Sequence, residues 1–226
     1  MATIKRAPIL SAAQLRHVLN VTQATSRLPE RDCLAILLTH CAGLRVTEVA
    51  RLEVRDVLTP MGRLRDELQL RAAITKNCSA RVVFLTNPKL RVAIETYLTY
   101  RLKYRLGCSL DSSEYRGLMP YTRLLLTHRG GGFELVRKRR TLPDGRKMDY
   151  WAADALEARF RELYRAAGIF SSSHAGRRGF ASALLRKGLE LEQVAILLGH
   201  NSGIDVTAAY IQVEKKRLRA MYEYAL

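Results

Sequence analysis

The stretch Ser173-His-Ala-Gly-Arg-Arg-Gly-Phe180, followed by Leu197-Leu-Gly-His200 and then by Tyr210, decides how this chain is read. His174 and Arg177 stand three apart, so on a helix they share a face. The serine run at 171–173 favours a capped helix start, and a helix N-terminus turns free backbone N–H groups toward an anion. A first turn of this kind offers an imidazole, a guanidinium and backbone donors to one phosphate, with Arg177 able to grip two oxygens at once. Taken alone, the pair reads more simply as two solvent-facing polar residues on an ordinary helix. The later segment adds weight. Gly199 is placed to stop a helix and to leave His200 just beyond it, and Tyr210 lies ten positions on. Cationic side chains stabilise charge on a phosphoryl group, and a phenol can attack one.

Working outward, the chain supplies Gly43-Leu-Arg45 with Glu48 three residues later, and Lys76 at the turn between two apolar runs. Glu48 has the offset to hold the Arg45 guanidinium in place, or to form a plain helix salt bridge. Lys76 can reach into a cleft or stand in solvent. The local signals predict a helix over 12–25, with Ser11 as N-cap and Gln14 closing a capping box. Pro29 opens a second helix, whose Leu34, Leu37, Leu38 and Cys41 form a core face and which Gly43 ends. A short third helix is expected over 47–52. Two strands flank Lys76, within 67–86. A helix over 88–106 carries Leu90, Ile94, Tyr97, Leu98 and Leu102 as its buried stripe. Residues 107–149 read as a long functional or partly mobile loop region with one short strand near 123–127. It holds the basic run Arg137, Lys138, Arg139, Arg140 and a Pro-Asp-Gly turn at 143–145. Helices are predicted at about 150–167, 174–187, 190–198, 203–212 and 214–224, with Gly168, Gly188 and Gly199 as C-caps. The fold class expected is mostly α with a small antiparallel sheet (α+β), as one domain over 1–226.

The composition narrows the partners. Against 21 acidic residues stand 38 lysines and arginines, a net charge of +17 with a pI near 10.2. A balance this basic points to a polyanion, with nucleic acid the first candidate. Cys33, Cys41, Cys78 and Cys108 form no CxxC pair and show no zinc spacing, as expected for reduced thiols in the cytosol. No secretory signal and no apolar stretch of membrane-spanning length is found.

Together these residues match, in order and in spacing, the catalytic domain of the tyrosine recombinases, also called the phage integrase family. The chain resembles it over roughly residues 9–215. The resemblance makes Arg45 the first arginine, with Glu48 its acidic companion, Lys76 the hairpin lysine, His174 and Arg177 the His-x-x-Arg pair, His200 the end of the Leu-Gly-His signature and Tyr210 the nucleophile. Two departures stand out. Gly176 precedes the second arginine where the family usually has leucine, and the step from His200 to Tyr210 is one residue longer than the commonest spacing. Many relatives also carry a separate helical DNA-clamping domain first, for which this chain has no room.

The resemblance implies a site-specific recombinase that works on double-stranded DNA through a 3′-phosphotyrosyl intermediate, without metal, ATP or other cofactor. It further implies a homo-oligomer, a tetramer on DNA assembled from protomers, with room for an accessory DNA-binding protein, in the cytoplasm at the nucleoid. Arg137, Lys138, Arg139 and Arg140 are candidate DNA-backbone contacts, although a solvated basic loop is the simpler reading. The tail over 213–226 is expected to dock on a neighbouring protomer or on its own domain. Two rivals remain: a type IB topoisomerase-like nicking-closing enzyme, and a DNA-binding regulator that kept the fold and lost the reaction.

Overall fold

The computed structural model describes residues 8–74, 80–141 and 145–199. The first helix, α1 (Ala12–Thr25), starts at the capping box read from the sequence. The Ser11 hydroxyl accepts from the Gln14 N–H, and the Gln14 side chain accepts from the Ser11 N–H. Helix α2 (Pro29–Cys41) opens on its proline and is buried almost all round, from Arg31 through Thr39 with only Cys33 less so. A helix buried on every side is a central one. It packs against α1, α5 (Pro88–Lys103) and α7 (His174–Arg186). Gly43 ends it at φ +62°, where a Cβ would stand 2.5 Å from the Phe180 ring.

The short helices α3 (Val46–Arg51) and α4 (Val54–Val57) follow, and then the antiparallel pair β1 (Glu67–Leu70) and β2 (Arg81–Phe84), in register from Glu67 opposite Phe84 to Leu70 opposite Arg81. The first strand is shorter than the sequence predicts. The chain leaves it at Arg71 for a 3₁₀ turn over Ala72–Ile74 that buries Ile74. On α5 the buried stripe is Leu90, Ile94, Tyr97 and Leu98, as expected, but its fifth member is Arg101 rather than Leu102.

That exchange bears on residues 107–135, whose sequence predicts a loop. Arg101 is fully buried, and its guanidinium donates to the carbonyls of Leu106, Arg123 and Leu124 and to the Thr122 hydroxyl. The Tyr97 hydroxyl accepts from the Leu126 N–H. One cation and one phenol thus satisfy the backbone of an irregular segment whose Leu118, Leu124, Leu125, Leu126 and Phe133 fill the core. No strand forms at 123–127; Arg123 and Leu126 make only isolated bridges, to Glu53 and Gly132. The strands lie further on, as a second antiparallel pair, β3 (Val136–Thr141) with β4 (Lys147–Ala152). The basic run is therefore a strand, not a loop, and α6 (Asp154–Ala166) begins four residues later than predicted because 150–152 belong to β4.

The remaining helices, α7 and α8 (Leu191–Leu198), pair through Ala181, Val194 and Leu198. Gly168, Gly188 and Gly199 all have positive φ, as the C-cap reading requires. The structure is thus mostly helical with two small antiparallel sheets. The helices expected at 203–212 and 214–224, and the docking tail, lie outside the described residues. Among the described residues no helix is long and apolar enough to cross a membrane. Cys33, Cys41 and Cys108 are free thiols, and burial pushes the first two up to about 11.

Candidate active site

Arg45 is the residue just before α3, in extended backbone, and Glu48 sits in the first turn. One carboxylate oxygen of Glu48 accepts from the Arg45 N–H at 2.7 Å, and the other accepts from the Arg45 guanidinium at 2.9 Å. The same carboxylate thus caps the helix and holds the arginine side chain. The Glu48 side chain is fully buried.

A second arginine completes that carboxylate. Arg81, on β2, donates from both terminal nitrogens to the two Glu48 oxygens, at 2.6 and 2.7 Å. The sequence reading did not select Arg81. Its partner lies 33 residues away, and nothing in the local pattern marks a strand arginine as paired. Burial alone would raise the Glu48 pKa. The hydrogen bonds and charge of Arg81, with the charges of Arg177 and Arg45, outweigh it and hold the group below its ordinary value. Glu48 is therefore an anion shared among three cations.

Arg177 lies on the first turn of α7 and is buried, 2% exposed, which overturns the solvent-facing reading for Arg177, while His174 is exposed. Its guanidinium donates to the Gly43 carbonyl and to the Leu198 carbonyl. Arg45 donates to the Gly199 carbonyl at 3.3 Å. Three separate segments meet here: the turn between α2 and α3, the start of α7 and the end of α8. Gly199 is in the left-handed region, φ +63°, and a Cβ there would stand 2.9 Å from the Arg81 side chain. The residue next to it is His200.

The helix start itself differs from the expected one. Ser173 makes no side-chain cap; its hydroxyl and its N–H donate instead to the Glu157 carboxylate on α6. This fixes α7 to α6 and leaves His174 exposed at the rim of a cavity of about 350 Å³. Arg45, His174 and Arg177 all line that cavity, facing Tyr150, Trp151 and Ala152 of β4. Of the six principal candidates, the structure thus brings together Arg45, His174 and Arg177, with Glu48 behind them. Lys76, His200 and Tyr210 lie outside the described residues.

Gly176 explains one departure from the family pattern. A Cβ on it would meet the Thr39 Oγ1 at 2.1 Å and the His40 ring at 3.0 Å, so α7 crosses α2 too closely for any side chain. His40 in turn shares a 3.0 Å hydrogen bond with the buried Tyr164 hydroxyl, and burial lowers its pKa to about 4.

The four basic residues of the 137–140 run stand outside this cluster. Arg137 and Arg139 both pair with Asp149 across the β3–β4 ribbon, Lys138 pairs with Asp154 at 2.7 Å, and Arg140 lies 5.9 Å from the Tyr150 ring centre. They remain largely exposed.

The family model described as phage integrase family matches residues 8–217. Tyrosine recombinase XerA of Thermococcus kodakarensis is 29% identical over 216 residues, covering 96% of this chain and 62% of the relative. Tyrosine recombinase XerD of Yersinia pestis is 28% identical over 218 residues, covering 95% and 60%. The chain therefore spans about three fifths of the length of these relatives. Among solved structures, XerA recombinase superposes with a TM-score of 0.65 at 20% identity, over 97% of this chain and 66% of the other. XerH recombinase bound to its palindromic difH substrate in a post-cleavage complex gives 0.65 at 18% identity, over 97% and 53%. These structures share the fold, and the family match spans nearly the whole sequence: the chain belongs to the phage integrase family.

Proposed function

We propose that this chain is the catalytic part of a site-specific DNA recombinase, which cuts and rejoins strands through a 3′-phosphotyrosyl intermediate. What supports the reading above all is the convergence of Arg45 and Arg177 beside His174 at one cavity, each arginine tied to the backbone that leads into His200. In this reading the Tyr210 phenol oxygen attacks the scissile phosphorus. The new P–O bond joins protein to the 3′ side, and the bond to the 5′ oxygen breaks. Lys76 gives a proton to that leaving oxygen, His174 helps remove the phenol proton, and His200 hydrogen-bonds the phosphate. Arg45 and Arg177 stabilise the extra negative charge of the five-coordinate state. Held in place in advance, they favour that state over the ground state. A second 5′-hydroxyl then reverses the chemistry on a new partner strand, so the bond energy stays in the intermediate.

Duplex DNA is the partner this chemistry needs, and exchange between two duplexes calls for a tetramer of protomers on DNA, with or without an accessory DNA-binding protein. The chain would act in the cytoplasm at the nucleoid. The test is a nicked duplex that traps the covalent adduct. Wild-type protein should form the adduct, Tyr210→Phe should form none, and Arg177→Ala should slow it by about 10²-fold or more. Protein that binds DNA but never forms an adduct would instead be the silent regulator, and relaxation of supercoils without exchange would indicate a topoisomerase.

A further inference from the structure

The β3–β4 ribbon stands at the surface. None of its described residues is buried, and a lone two-stranded ribbon is marginal in water. Cross-strand ion pairs from Arg137 and Arg139 to Asp149 add to its backbone ladder. The segment 136–152 carries six basic residues against two acidic ones, net +4 of the chain's +17 in 17 of 226 positions. Register separates its faces. Arg137, Arg139 and Thr141 stand opposite Trp151, Asp149 and Lys147 on one face; Val136, Lys138 and Arg140 stand opposite Ala152, Tyr150 and Met148 on the other. The first face is the outer one: the side chains of Arg137 and Arg139 are 66% and 63% exposed, and Trp151 is 53% exposed. At one end of the ribbon, Tyr150, Trp151 and Ala152, from both faces, wall the cavity that Arg45, His174 and Arg177 also line.

We infer that this ribbon enters the major groove of the DNA next to the cleavage point and reads base edges through Arg137 and Arg139. The inference rests on the recombinase reading, which sets duplex DNA over the neighbouring cavity. Two strands about 4.8 Å apart with their side chains match a groove roughly 12 Å wide and overfill the minor groove, roughly 6 Å wide. Six residues per strand reach about 20 Å along it. The Asp149 carboxylate decides between base edges and phosphates. It accepts from both arginines, so it cancels part of their attraction for the backbone while fixing the direction of their forks. A fixed guanidinium fork matches the two acceptors on the guanine edge; a device for gripping phosphate would carry no carboxylate at its centre.

The test starts from a pool of duplexes with a randomised segment, from which wild-type protein and the double variant Arg137→Gln/Arg139→Gln each select binders. Thermal melting first establishes that both are equally folded. The salt dependence of binding to one mixed-sequence 30-base-pair duplex is measured alongside. Wild type should enrich a motif containing guanines that the double variant no longer selects, with a loss of about tenfold or more in preference per guanine read. An unchanged motif with a shallower salt slope would make the ribbon a phosphate clamp and overturn the groove assignment. An unchanged motif and slope with altered assembly of protomers on DNA would make it a protein contact, which also overturns it. Wild-type protein that neither binds the duplex nor enriches any motif would count against the recombinase reading itself, a result distinct from the other three.

Discussion

Two carboxylates in this molecule each hold a pair of arginines, in opposite settings. Glu48 is fully buried between Arg45 and Arg81, with the Arg177 charge close by. Asp149 sits on an exposed ribbon between Arg137 and Arg139. The same three-group pattern does different work because the surroundings differ. In a buried site the penalty for an unpaired charge is large, so partners lock one another and a guanidinium gains a fixed address. In solvent a comparable pair adds little to stability, so its effect is to orient groups that stay available to a partner. Burial, rather than the residues themselves, turns one cluster into a scaffold and the other into a contact surface.

Removing the buried carboxylate should give the largest effect. Glu48→Ala leaves Arg45 and Arg81 without their shared anion and removes the cap from α3. Loss of one partner from a buried charge cluster costs about 3–5 kcal/mol, read as a drop in the unfolding midpoint. Arg81→Lys keeps the charge but loses the bidentate grip. If Arg81 positions Arg45 through Glu48, this variant should stay folded and bind DNA, yet form the covalent adduct more slowly. A neutral methylphosphonate at the scissile position, which needs less help from a positioned cation, should narrow the gap between it and wild type. Equal slowing on both substrates would make Arg81 merely structural.

Next comes the pH response beside the buried cluster. His40 keeps its imidazole neutral down to about pH 4 because burial lowers its pKa from 6.5. As the pH falls below 6.5 the unfolded chain takes up a proton that the folded chain refuses. Stability is thus fully present above 6.5 and is lost progressively toward 4, by up to about 3 kcal/mol. The ribbon shows no such response in this window, since Arg139 and Arg137 hold Asp149 down to about 2. Unfolding midpoints measured from pH 7 to 4.5 should fall in wild type and fall much less in His40→Gln; parallel curves would assign the acid sensitivity elsewhere.

The Gly176 crossing ranks below these. Gly176→Ala places a methyl against Thr39 and His40. Overpacking of this kind costs about 1–3 kcal/mol, and α7 carries Arg177, so adduct formation should weaken along with stability. The crossing also shows what the sequence could and could not convey. Helix starts, glycine stops and the His-x-x-Arg pair are local signals, and Ser11, Pro29, Gly43, Gly168, Gly188 and Gly199 stand where those signals put them. Contacts between distant segments leave no such trace. Arg81 meets Glu48 only after β2 folds back, and Arg101 looks like one more surface cation on α5 until the 107–135 segment wraps around it. The ribbon is hard to read for another reason: Val-Arg-Lys-Arg-Arg-Thr has no apolar face, and the alternation of Met148, Tyr150 and Ala152 in the second strand is short and blurred by Trp151. The Pro-Asp-Gly sequence at 143–145, between two six-residue segments, is the usable clue.

The smallest effect on folding should come from the exposed carboxylate. Asp149→Asn releases Arg137 and Arg139 from their common acceptor while leaving the strand pairing intact, so the unfolding midpoint should not move measurably. Its consequence should appear in DNA binding instead. Two freed guanidiniums attract backbone phosphate, so binding to mixed-sequence duplex should tighten and its salt slope should steepen by about one to two units. Preference for the selected motif should weaken, because the forks have lost their fixed direction. A variant as stable as wild type, tighter on arbitrary DNA and less selective would separate the ribbon from the buried site. Destabilisation like that of Glu48→Ala would mean that exposure does not distinguish the two arginine pairs after all.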